Sequence, residues 1–131
     1  MSEKAPVVRV EVPAQASMVH LLRTTAVSLA PPATDVDRLS DLALAVSEAA
    51  VELLRLDGVN RVNMRIDERP HEMKTALTVA ASVPESWVHS WHRSISALVL
   101  NSVVEEVRAE TDGERAEIRF LFRPQLADAA Q

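Results

Sequence analysis

Apolar and polar residues alternate from Val8 to Val12 in VVRVEVPA, and Pro13 ends the run. A period of two puts one set of side chains on one face, so the segment reads as a half-buried strand. Ser17 is positioned to cap a helix running to about residue 29, and APPATD at 30–35 breaks that helix. Thr34 or Asp35 then caps a second helix. Its apolar positions Leu39, Leu42, Ala43, Val46, Ala49, Ala50 and Leu53 recur at near-helical spacing. Asp37, Arg38, Asp41, Glu48, Glu52 and Arg55 sit mostly between them. Gly58, in LDGV, is a good terminator.

Val62, Met64 and Ile66 alternate in RVNMRI, which predicts a second strand, and ERPHEMK is a turn by composition. TALTVAASV reads as a third strand. Its near-continuous apolar run predicts that both faces are covered, and Pro84 stops it. ESWVHSWHRS leads into a third helix over about 91–106, with Ile95, Leu98, Val99, Ser102 and Val103 expected to point inward. VRAETDGERAEIRFLF closes the chain as a hairpin with Asp112-Gly113 at its turn. The order β-α-α-β-β-α-β-β, with hairpin-joined strands and bunched helices, predicts a two-layer α+β sandwich. A flexible N-terminus at 1–6, one domain over 7–123 and a frayed tail at 124–131 complete the expected organisation.

Composition narrows this picture only a little. A chain of 131 residues fits one domain and can bury roughly 65–70% of its unfolded surface, so it needs neither metal nor disulfides to fold. The 47% apolar and 25% charged residues are an ordinary globular balance. A net charge of −5 argues against nucleic acid as a partner; it serves solubility or steers the protein toward a basic protein. The chain has no cysteine, which excludes disulfides and thiolate metal sites and suits a reducing compartment. There is no signal-peptide core, and no apolar run approaches the length of a membrane span. The expectation is a soluble cytoplasmic protein with no membrane partner.

Two places carry candidate chemistry. In LALAVSEAAVELLRL, at 42–56, Glu48 and Glu52 lie four residues apart and therefore on one helix face. They are either a solvated face, or one carboxylate that activates a hydroxyl or water with a second group that holds a metal. In WVHSWH, His89 and His92 can share a helix face beside Trp87 and Trp91. No third metal ligand stands at suitable spacing, so packing tryptophans with edge histidines is the favoured reading; tryptophans anchoring a partner are the alternative. His20 and His71 have no convincing companion. No nucleophile elbow, Walker loop or zinc spacing occurs.

The stretch VPAQASMVHLLRTTAVSLA…VDRLSDLALAVSEAAVELLRL resembles the first half of the RsbW-type anti-sigma serine kinases, of the GHKL ATPase superfamily. In that family an opening strand ending near a proline leads to a helix, and a second helix carries the N box, a Ser/Asp-Glu-Ala-x-x-Asn pattern. SEAAVE, Ser47 to Glu52, occupies that pattern, and the resemblance runs over about 7–123. It implies a GHKL-type two-layer sandwich, a mixed or largely antiparallel sheet with three helices on one face. It also implies that Glu48 matches the general base, and that Glu52 replaces the magnesium-binding asparagine. A carboxylate there can ligate magnesium but adds repulsion near phosphates.

Other family positions depart further. Where the family has Asp-x-Gly-x-Gly after its third strand, Ala81 replaces the adenine-binding aspartate and Val83 the first glycine. Alanine accepts no hydrogen bond from adenine, and β-branched Val83 resists the backbone angles glycine allows. Where the last helix of the family opens with Gly-x-Gly over the phosphates, this chain has Ser94 and Ser96 in SIS. Serines there are ordinary N-caps, or bind an anion through backbone N–H groups. The expected function is therefore an anti-sigma-like regulator binding a sigma factor, a STAS anti-anti-sigma antagonist, or both. No cofactor and no kinase activity are expected, and Glu48 is read as a vestigial base. The alternative is an active divergent serine kinase using ATP and magnesium. A homodimer through the first helix and first strand is expected, with partner contacts near Arg23.

Overall fold

Alternation in the first segment forms β1 (Val7–Pro13), and a 3-10 turn (Ala16–Met18) runs directly into α1 (Val19–Ser28). The computed structural model describes residues 7–125, so the expected flexible segment at 1–6 and most of the expected tail lie outside the described residues. Ser17 is not a cap: it lies inside the 3-10 turn, whose backbone bonds already engage the Met18 and Val19 N–H groups. Asp35 caps α2 (Val36–Leu54), its carboxylate accepting from the Arg38 N–H at 2.9 Å. β2 (Arg61–Glu68) and β3 (Met73–Ala80) form a hairpin. α3 (Trp87–His92), α4 (Ile95–Val103), β4 (Glu105–Thr111) and β5 (Arg115–Phe122) complete the chain.

The architecture is α+β. Among the described residues the sheet has five strands in the order β1-β2-β3-β5-β4, every neighbouring pair antiparallel. Its inward residues, including Val62, Met64, Ile66, Leu77, Val79 and Ile118, share one core with the helices. Among the described residues no helix packs on the opposite face. β3 alternates buried and more exposed residues, so the expectation that both its faces are covered is corrected. Among the described residues no second helical layer covers it; alanine and threonine supply small residues of its outer side. At the closing turn, Asp112 Oδ1 accepts from the Glu114 and Arg115 N–H groups at 2.9 Å each. The Glu114 N–H, aided by the Arg115 backbone and charge, holds the Asp112 carboxyl below its ordinary 3.8. Gly113 takes φ +94°, which a side chain would resist.

The third helix is two helices, so the described residues hold four α-helices rather than three. Ser94 breaks the path with an extended backbone, ψ 159°, and its Oγ accepts from the Ala97 N–H at 3.1 Å. This cap restarts the helix and sets its phase. Ser96, Ala97 and Leu100 point inward, whereas Ile95 and Leu98, expected inside, are 78% and 71% exposed. Trp87 and Trp91, one turn apart on α3, already occupy the core beside it.

Arg38 also departs from its expected place among the polar residues of α2, being only 7% exposed. Its guanidinium donates to Val103 O at 2.8 Å, to Arg123 O at 2.7 and 3.1 Å, and to Asp41 Oδ2 at 2.7 Å. It also lies over the Phe122 ring, 4.6 Å from the centroid. One buried side chain thus ties the start of α2 to the end of α4 and the end of β5.

Candidate functional site

Arg38 meets the last residue of α4 at the start of α2, and Ser96 at the start of α4 meets the later turns of α2. The two helices therefore run antiparallel. Glu48 and Glu52 lie along the seam between them. Ser96, 8% exposed, approaches both: its Oγ is 3.0 Å from Glu48 Oε2 and 3.3 Å from Glu52 Oε2. A hydroxyl has one proton to donate, so the two carboxylates share one donor. Arg55 adds a 3.4 Å contact to Glu52, but it is an exposed side chain and contributes little.

The structure thus joins four of the six residues singled out by the resemblance. Glu48, Glu52 and Ser96 form one hydrogen-bonded cluster, with Ser94 capping the helix that carries Ser96. Ala81 and Val83 belong to a different network. Their N–H groups donate to Glu114 O and Gly113 O, each at 3.0 Å, and Ser82 N–H donates to Asp57 O at 3.2 Å. These bonds pin the segment after β3 between the exit of α2 and the β4–β5 turn. The Val83 side chain is buried in the core.

No family model and no curated protein sequence matches this chain. What the site can do is therefore read from its own geometry. The glutamate pair is neither a fully solvated face nor an open carboxylate site. Both side chains are half-buried against α4 and oriented by a serine from it. Among the described residues, no group of three or more histidine, aspartate or glutamate side chains is arranged to hold a metal ion. Sequence reasoning weighed Ser96 against a phosphate and missed it as the partner of both glutamates. The serine's spacing within SIS held no signal of that role, because the role depends on how α4 lies on α2.

The WVHSWH segment resolves as packing. Trp87 and Trp91 are buried, His89 and His92 are exposed, and Trp91 meets His92 edge-on with centroids 5.3 Å apart. Arg23 is half-buried and works within the fold, donating to Ser47 Oγ at 3.2 Å and lying 3.2 Å from His20 Nδ1. Exposed positions beside it include Leu21 and Thr24.

Proposed function

We propose that this chain is a regulatory binding protein of the anti-sigma kind, built on a GHKL-like sandwich whose nucleotide site no longer operates. It would hold an alternative sigma factor away from core polymerase and be displaced by a STAS anti-anti-sigma protein. The observation that carries this reading is the engagement of Ser96 by both Glu48 and Glu52. In the resembled enzymes that seam serves magnesium and phosphate; here the glutamates already have an internal partner. Two further features support it. Ala81 has no acceptor for adenine, and Val83 is committed to the core. These residues do not fit a magnesium nucleotide, so no phosphoryl transfer is assigned to them.

Regulation then follows from mass action between competing partners, each complex needing an interface on the order of 1,600 Å² in total. A homodimer through β1 and α1 belongs to the same proposal. β1 is an edge strand, and Val7 on β1 and Leu21 on α1 are exposed apolar side chains. Cytoplasmic action is part of it too. No helix among the described residues is long and apolar enough to cross a membrane. Two measurements test the reading. Affinity capture from the native host, with mass spectrometry, should return a sigma factor or a STAS protein; recovery of neither overturns the assignment. Calorimetry with Mg-ATP should show no micromolar binding, and such binding would restore the kinase alternative.

A further inference from the structure

The register of the sheet assembles a feature that no single strand displays. On the open face, Arg9 stands opposite Arg65, Arg65 opposite Ala76, Ala76 opposite Arg119, and Arg119 opposite Arg108. Four arginines and one alanine form a row across all five strands, a span of about 19 Å at the usual strand spacing. Two of the direct cross-strand pairs, Arg9–Arg65 and Arg108–Arg119, are like-charged, an arrangement that costs stability. Arginine does not lose its charge at ordinary pH, so titration gives no relief. Compensation is partial: Arg65 meets Asp67 at 3.2 Å, and Arg119 meets Glu110 at 2.8 Å and Glu117 at 3.7 Å. The end residues Arg9 and Arg108 form no ion pair among the described residues.

The row is also concave at its centre. Two hollows of about 540 and 620 Å³ lie on this face, and both are lined by Arg65 and Ala76. The short Ala76 side chain lowers the middle of the row. We propose that this arginine row is a docking surface for an extended acidic segment of a partner protein, lying across the strands with carboxylates on the guanidinium groups. Roughly six residues of extended chain cover the span. Carboxylates placed every second residue would face the row, and each guanidinium offers a fork that suits a carboxylate.

Nucleic acid fits this face less well. A single strand needs aromatic faces for its bases. The chain has no tyrosine, and both its phenylalanines and both its tryptophans are buried. The neighbouring row, Glu11, Asn63, Thr78, Glu117 and Glu110, is acidic. A phosphate backbone too wide for one row meets those carboxylates. The proposal does not depend on the anti-sigma reading, since it concerns a different face and a class of segment rather than a named partner.

Fluorescence anisotropy on the full chain tests it, with a labelled peptide of roughly ten residues alternating glutamate and alanine. Saturable binding is expected at about 50 mM salt and should weaken at about 200 mM. Arg9→Gln combined with Arg108→Gln should weaken binding about tenfold, while Arg93→Gln, on the helical side, should leave it unchanged. A thymidine oligonucleotide of equal length should bind more weakly than the peptide. The double variant should keep the circular dichroism of the parent and melt no lower than it, because it removes exposed charges that repel their neighbours. Absence of peptide binding at low salt, an equal loss with Arg93→Gln, or oligonucleotide binding as tight as the peptide's would each overturn the proposal.

Discussion

Thr75 shows how the same sheet treats a polar side chain that has no task. It is 1% exposed on the inner face of β3, between Ile66 and Phe120 on the flanking strands, and its Oγ1 finds no hydrogen-bond partner among the described residues. A buried hydroxyl without a partner costs about 1–3 kcal/mol of lost solvation. Valine has nearly the same shape and the same preference for strands. Thr75→Val should therefore raise unfolding stability by about 1 kcal/mol in urea, with an unchanged denaturant slope. A loss of similar size would mean that the hydroxyl is satisfied in solution. Ser96 is the contrasting case, a buried hydroxyl engaged by two carboxylates.

At the scale of elements, α4 carries the clearest departure from periodicity. Reading one helix through 91–106 placed Ile95 and Leu98 inside; the Ser94 cap starts a new helix and turns them outward. Substitutions on the two faces should separate cleanly. Leu98→Lys should change stability by no more than about 0.5 kcal/mol, as for other exposed sites. Leu100→Ala, at a fully buried position, should cost about 2–5 kcal/mol. Thermal melts of the pair decide the phase, and the reverse ranking would restore the unbroken helix. The strands and the β4–β5 turn were legible without such help. Alternation gives the inward face of β2 directly, and Asp112-Gly113 supplies both a side-chain acceptor and a residue tolerant of positive φ.

At the scale of the molecule, Arg38 is the clamp that closes the helical layer onto the end of the sheet. Removing it strands Val103 O, Arg123 O and the Asp41 carboxylate without their donor. Arg38→Ala should destabilise by about 3–5 kcal/mol in urea unfolding, the usual penalty for breaking a buried charged network. Arg38→Lys should recover only part of this, since one ammonium group cannot reproduce the guanidinium fork. A cost below about 1 kcal/mol would show that the clamp is dispensable.

By itself the sequence determined the local elements of this protein: the alternating strands, the course of α2 after a cap at Thr34 or Asp35, and the final turn. Each follows from spacing or turn chemistry within a few residues. It also placed Glu48 and Glu52 on one helix face. Tertiary structure decided what those residues meet. Ser96 reaches both glutamates only because α4 packs antiparallel along α2, and Arg38 is buried only because three distant chain ends converge on it. The arginine row is the fullest case. Arg9, Arg65, Arg108 and Arg119 belong to four strands, and each reads locally as one ordinary outward residue. Only long-range strand register sets them side by side, and register is set by burial of the apolar residues on the opposite face and by the turns, not by the arginines.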